Sequence, residues 1–169
     1  MNPSWQLRTG RLLMRPVSWA DLPDLTELKG DPRAFAVMLG GVRGPAAVAD
    51  DLAEDIASWA RQGFGLWAVR AVERPRFIGL VGLAERADGR GVGLRFALRP
   101  QEQGHGYASE AAGAALRFGH ERAGLRRIVG VAREDNFSSR TVLGAIGMRV
   151  CETFLRDGVT LLVFESVVE

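Results

Sequence analysis

The chain has 169 residues, of which 47% are hydrophobic, and a net charge of +2. A length of this order suits one domain, residues 1–169, that buries a core without help from disulfides or metal. The 22 basic residues include a single lysine, Lys29, and are scattered rather than gathered into runs, so the pattern excludes a nucleic-acid footprint.

In chain order, residues 1–15 mix Trp5, Arg8, Arg11 and Arg15 with apolar side chains and contain no uninterrupted apolar stretch of the secretory type. No run elsewhere reaches membrane-spanning length, and the expectation is a soluble, cytoplasmic protein with no membrane partner. Residues 11–16 read as a first strand closed by Pro16. Ser18, with Asp21 three residues later, predicts the cap of a short helix carrying Leu22, Leu25 and Leu28 on one side. Residues 30–44 hold several glycines and prolines together with Phe35, Val37, Met38 and Leu39, which predicts a loop or broken helix with an apolar lip. Pro45 suits the first turn of a second helix. Its Val48, Leu52, Ile56 and Trp59 recur at helical spacing before Gly63 ends it.

From residue 64 the period changes to that of strands: 64–72, 77–83 and, after the Asp88-Gly89 hairpin signal, 92–98. A helix over 107–123 ends at Gly124, a strand follows at 127–132, and a helix over 136–146 ends at Gly147. Strands at 149–155 and 159–167 flank a second Asp-Gly turn at Asp157-Gly158. Cys151, the only cysteine, excludes an internal disulfide and a cysteine metal cluster, and is expected as a buried strand thiol. The order β-α-α-β-β-β-α-β-α-β-β predicts a mixed α/β layer fold.

The stretch Gln103-Gly104-His105-Gly106-Tyr107-Ala108-Ser109 joins the strand at 92–98 to the alanine-rich helix. Glycines there let the backbone approach a ligand and reach positive φ, while the unpaired N–H groups of the helix's first turn point to the same place. Together with the helix dipole, that junction is a cradle for an anion such as pyrophosphate. A nucleotide-hydrolase P-loop is excluded, because the sole lysine lies elsewhere. A dinucleotide fingerprint fails too, since Ser109 stands where its third glycine belongs.

With these residues in this order, nearly the whole chain resembles the GNAT superfamily of N-acetyltransferases. The family's Gln/Arg-x-x-Gly-x-Gly/Ala signature is similar to Gln103-x-x-Gly106-x-Ala108; Gln101-x-x-Gly104-x-Gly106 fits formally, but the continuation Gly-Tyr-Ala-Ser-Glu-Ala favours the first register. That continuation, the opening Thr9-Gly10-Arg11-Leu12-Leu13-Met14-Arg15-Pro16, and the pair Asn136-Phe137-Ser138-Ser139 with Ile146-Gly147-Met148 resemble the ribosomal-protein N-terminal acetyltransferase branch. The resemblance implies a mostly antiparallel sheet splayed in the middle and flanked by helices, and acetyl-CoA as co-substrate with no metal. It implies an amine acceptor, a small molecule or a protein N-terminus, and is compatible with a homodimer. Coenzyme contacts implied by it are Phe96, Ala97 and Leu98 on the splayed strand, the loop from Gln103 to Ser109, and Asn136 with Ser139.

Transfer by direct attack requires a held thioester, a neutral amine, a stabilised oxyanion and a proton for the departing thiolate. Many relatives use a tyrosine as proton donor, but Tyr107 is the only tyrosine and sits in the phosphate loop. Ser139 is the expected donor in its place. As a plain structural element, Asn136 caps its helix and Ser139 lies in the first turn. Some relatives carry a glutamate as base on the strand before the loop, where Gly93 stands here. Glu85, Glu110, Glu134 with Asp135, His105 and His120 are the substitutes, and the base is left open. The acceptor is expected beside Phe35 and Met38, with the Asp157-Gly158 turn as another wall and largely apolar surroundings. The alternative is a non-catalytic acyl-CoA sensor or structural module with the same fold.

Overall fold

Prolines and glycines punctuate this chain at nearly every element boundary, and the elements follow from them. In the computed structural model, which describes residues 2–38 and 40–169, the strands are β1 (Leu7–Arg8), β2 (Leu12–Pro16), β3 (Leu66–Ala71), β4 (Phe77–Glu85), β5 (Val92–Leu98), β6 (Arg127–Arg133), β7 (Arg149–Arg156) and β8 (Val159–Val167). The helices are α1 (Leu22–Gly30), α2 (Pro32–Phe35), α3 (Pro45–Gln62), α4 (Tyr107–Glu121) and α5 (Phe137–Ala145). Proline occupies the first turn of α2 and α3, where its missing N–H has no intrahelical partner to lose. Leu39, at the end of the expected apolar lip, lies outside the described residues.

The strands form one eight-stranded sheet in the order β1-β2-β3-β4-β5-β6-β8-β7. Every neighbouring pair is antiparallel except β5 and β6, which run parallel and meet at one register pair, Gly93 with Val129. Beyond that rung the strands part, so the sheet is splayed in the middle at the C-terminal ends of β5 and β6. One buried cluster packs Ile78, Leu83 and Leu94 against Ala111, Ala112, Ala115 and Phe118 of α4. The helix can lie so close because its inner face is small: a Cβ on Gly119 would come within 2.6 Å of Ile128 Cδ1. The other cluster places Leu25, Leu28, Val48 and Leu52 of α1 and α3 on Leu66, Leu80 and Ala97. Burying leucines of this kind contributes roughly 1.5–3 kcal/mol each, which holds α1 and α3 against the face formed by β3, β4 and β5.

Two expectations change. The two-residue strand β1, too short to show a period, extends the sheet beyond the expected first strand by pairing Leu7 with Met14. Cys151 is exposed rather than buried. The reason is topological: β7 is the outermost strand, and the register skips from Val150 to Glu152, leaving Cys151 out of the ladder beside Arg127 Nη2 at 3.7 Å.

Candidate active site

The junction between β5 and α4 is held from three sides. Gly104 and Gly106 have φ of +83° and +82°, a region that side chains with a Cβ avoid. The Gln103 amide donates to the Leu98 carbonyl at 3.2 Å, closing the loop onto its strand. Arg11, just before β2, donates from Nη1 to the His105 carbonyl at 2.9 Å, and its guanidinium lies 4.5 Å from the centroid of the Tyr107 ring. Among the described residues, none of the N–H groups of residues 104–109 makes a backbone hydrogen bond. A curved row of free donors thus opens α4, and a Cβ on Gly106 would sit 3.3 Å from Arg11 Nη2. These residues fit an anionic coenzyme tail.

Glu110 and Glu102 serve this loop. Glu110 accepts from Arg11 Nε at 2.7 Å and Arg11 N at 3.0 Å, and also from the Thr9 hydroxyl. Burial pushes its carboxyl up, but the hydrogen bonds from Thr9 and Arg11 outweigh burial and hold it below the ordinary range. Glu102 takes a two-point contact from Arg76 at 2.8 and 3.1 Å, and Arg76 Nη2 reaches the Tyr107 hydroxyl at 3.4 Å. Tyr107 is therefore tied to the rim of the loop.

A cavity of about 610 Å³ lies where the sheet splays. On one side it is lined by Phe96 and Ala97 of β5, Val131 and Ala132 of β6, and Asn136, Ser139 and Leu143 of α5. Asn136 caps α5, its Oδ1 accepting the Ser139 N–H at 3.2 Å, while the Ser139 hydroxyl has no hydrogen-bond partner among the described residues. Leu98 and the loop at 103–109 are not in this lining; Leu98 is buried against α4. Phe35 and Met38 face the cavity from the other side, and Phe35 also packs into the α1–α3 cluster at 7% exposure. The Asp157-Gly158 turn does not line it.

The surroundings of Phe35 and Met38 are not largely apolar, in contrast to the expectation from sequence. Charged side chains crowd the cavity, and most are matched. Lys29 and Arg43 reach Asp51 at 3.5 and 2.6 Å, Arg61 reaches Glu54 at 2.7 Å, Arg86 turns to Asp88 at 2.7 Å and Arg133 to Asp135 at 3.1 Å. Glu85 accepts weakly from Gln62 Nε2 at 3.4 Å. Two opposite charges remain without a hydrogen bond or ion pair among the described residues: Asp55 of α3 and Arg95 of β5. Asp55 is half-buried, and burial pushes its carboxyl above the ordinary range, opposed by the charges of Lys29 and Arg95.

Asp55 was missed in the sequence, although a signal exists. Asp51, Asp55, Ser58 and Gln62 follow each other by four, three and four residues, a polar stripe beside the apolar one on α3, and all four face the cavity. Of the carboxylates considered as base, only Glu85 lines the cavity; Glu110 is taken by Arg11 and Thr9, and Glu134 and Asp135 lie outside it. His105 is exposed on the loop, and His120 bonds the Leu125 carbonyl at 2.6 Å and the Ser166 hydroxyl at 2.9 Å. The space that a side chain at Gly93 would take is filled by the stem of Arg86, whose Cγ is 3.1 Å from such a Cβ. Among the described residues, no group of three or more His, Cys, Asp or Glu is placed to hold a metal ion.

Residues 11–149 match the family described as acetyltransferase (GNAT) domain. The chain is 27% identical over 164 residues to the FsC-acetyl coenzyme A-N(2)-transacetylase of Aspergillus fumigatus, covering 88% of this chain and 66% of the length of that enzyme. The crystal structure of an acetyltransferase from Agrobacterium tumefaciens superposes with a TM-score of 0.84 at 28% identity, over 95% of this chain and 93% of that one. A ribosomal L7/L12 alpha-N-protein acetyltransferase in complex with coenzyme A shares the fold, with a TM-score of 0.77 at 16% identity over 95% and 96% of the two chains. The free-donor loop at the head of α4, the splay between β5 and β6 and the match over residues 11–149 agree: this chain belongs to the GNAT acetyltransferase family.

Proposed function

We propose that the protein transfers the acetyl group of acetyl-CoA to a primary amine by direct attack on the thioester. The observation that carries this reading is the arrangement of Asp55 and Ser139 in one cavity at the splay, with neither the Asp55 carboxylate nor the Ser139 hydroxyl engaged by another side chain. The coenzyme's phosphates occupy the N–H groups of 104–109, and its pantetheine arm follows the parted edge of β5 at Phe96 and Ala97 toward Asn136 and Ser139. The amine arrives from the side of Phe35 and Met38. Asp55 takes a proton from the ammonium, the nitrogen lone pair forms the new N–C bond, and the C–S bond breaks as the oxyanion collapses. As the oxyanion collapses the nitrogen gives up its second proton to water, and the Ser139 hydroxyl hands its proton to the thiolate and is reprotonated from that water.

The acceptor class favoured by the branch resemblance is a protein N-terminal α-amine. Such an amine titrates near 8 rather than near 10.4, so a half-buried carboxylate suffices to neutralise it. An acyl-CoA sensor without turnover has no use for an unengaged carboxylate in the same cavity as Ser139, which favours the transferase. We read the protein as cytoplasmic, since a single free thiol fits a reducing compartment. Acetyl-CoA consumption with a panel of α-amines and alkylamines, read as release of free thiol, tests the reading. Thiol release dependent on amine is expected; tight acetyl-CoA binding with no release for any amine would establish the sensor instead.

A further inference from the structure

We propose that the acceptor carries a carboxylate within a few bonds of its amine, and that Arg95 binds this carboxylate while Asp55 faces the ammonium. This deepens the acetyl-transfer reading and rests on its placement of the acceptor.

The charges of the cavity lining point to such an acceptor. Ten charged side chains line the cavity: Lys29, Arg43, Arg61, Arg86, Arg95 and Arg133 against Asp51, Glu54, Asp55 and Glu85. The ion pairs described above neutralise Asp51 and Glu54 from within the cavity and turn Arg86 and Arg133 to carboxylates outside it. Glu85 is exposed and held by Gln62 at the edge. Glu85 keeps its charge but points to solvent; of the charges left without a hydrogen bond or ion pair among the described residues, the anion is Asp55 on α3 and the cation Arg95 on β5, and the charges of Lys29 and then Arg95 oppose the effect of burial on Asp55. Two opposite charges that face one chamber and do not pair with each other present a complementary dipole. A bare alkylamine satisfies only Asp55, and a polyamine brings a second positive charge toward Arg95. A zwitterion satisfies both, because the guanidinium offers a two-point donor fork matched to a carboxylate. The apolar faces of Phe35 and Met38 between the cavity and the α1–α3 core then receive an apolar portion of the same molecule.

The shared chemistry has two sources, a free amino acid or a peptide N-terminus with an acidic second residue. Binding to the CoA-loaded protein is measured by calorimetry for two matched pairs. One pair is L-leucine and isopentylamine. The other is a hexapeptide amide with Asp at position two and its Asn counterpart. The carboxylate-bearing member of one pair should bind at least tenfold more tightly, equivalent to about 1.4 kcal/mol, and the pair that shows this identifies the source. Arg95→Gln should bring that ratio to about one and Arg95→Glu should invert it, while Arg95→Lys retains part of it. Arg95 is exposed, so these variants are expected to fold, which circular dichroism checks. Equal binding within both pairs, absence of binding by all four probes, or an unchanged ratio in Arg95→Gln would overturn the proposal. Selective, Arg95-dependent binding without acetylation of any probe would leave the charge assignment standing and sink acetyl transfer. Acetylation indifferent to the carboxylate would do the opposite.

Discussion

The loop proposed for the coenzyme offers main-chain donors of residues 104–109, fixed by two positive-φ glycines and braced by Arg11, whereas the cavity proposed for the acceptor presents side chains, Asp55 and Arg95, mounted on α3 and β5. The first kind of site depends on conformation and on empty space; it is indifferent to most side chains and intolerant of a Cβ where the backbone must come close. The second kind depends on the identity of single residues and leaves the fold untouched when they change. A fold built this way can keep one donor molecule while its acceptor varies, which is how a single architecture hosts different activities.

Substitutions that separate the two sites should do so cleanly, and Asp55 gives the largest expected effect. Asp55→Asn should lower kcat/KM for the amine by about 10²–10⁴, the usual contribution of a positioned base, with coenzyme affinity kept. Because burial raises the folded-state carboxyl above its ordinary 3.8, the wild-type rate should fall as pH drops through that raised value, and the acidic limb should vanish in the variant. A parallel loss of acetyl-CoA affinity would break the division between the sites.

Next comes the loop. Gly106→Trp must place a Cβ at φ +82° and within 3.3 Å of Arg11 Nη2, so coenzyme affinity should drop by roughly ten- to a hundredfold. Normal folding with wild-type affinity would show that the cradle lies elsewhere. Ser139→Ala is expected to be milder, a loss of about tenfold in kcat with binding unchanged, since a proton reaches the leaving thiolate only in the transition state. The variant keeps its helix cap, because Asn136 Oδ1 accepts the backbone N–H of residue 139 and not the hydroxyl. Unchanged turnover would reduce Ser139 to packing.

The smallest effect concerns the brace. The folded-state carboxyl of Glu110 lies below its ordinary 4.5, so its bonds to Thr9 and Arg11 contribute stability that is present above that pH and is lost as pH falls through the lower folded value. Glu110→Gln should destabilise the protein at neutral pH by about 1 kcal/mol, and the gap from wild type should close in acid. A gap that persists once the carboxyl is protonated in both the folded and the unfolded protein would assign the effect to packing instead of charge.

The conformation of the loop before α4 was legible in sequence because it is local: Gln103, Gly104 and Gly106 are neighbours, and their spacing points directly to the positive-φ backbone found there. The same holds for most elements, whose ends carry Pro45, Gly63 or Asp157-Gly158. The acceptor chamber was not legible, for a physical reason. Asp55 and Arg95 are forty residues apart, and each reads alone as an ordinary surface charge on an amphipathic element. What distinguishes them is that neither has a hydrogen-bond or ion-pair partner among the described residues, a property of the folded arrangement that no local pattern encodes. Arg11 is similar: in sequence it is part of a strand and of a motif match, and its role as a brace appears only when Glu110 and the His105 carbonyl are brought to it. Cys151 failed differently: a strand pattern gives a residue's face but not whether its strand is central or at the rim.

Trp59 follows Asp55 by one helical turn on α3 and donates from Nε1 to the Leu66 carbonyl at 2.9 Å. Its ring centroid lies 5.2 Å from that of Trp5, 4.9 Å from that of Trp67 and 6.0 Å from that of Phe118. Indoles so closely spaced and tilted couple their electronic transitions, so the helix that bears Asp55 also carries a chromophore whose near-ultraviolet dichroism depends on its orientation to the sheet. Any tilt of α3 as an amine enters therefore becomes an optical signal in the unlabelled protein.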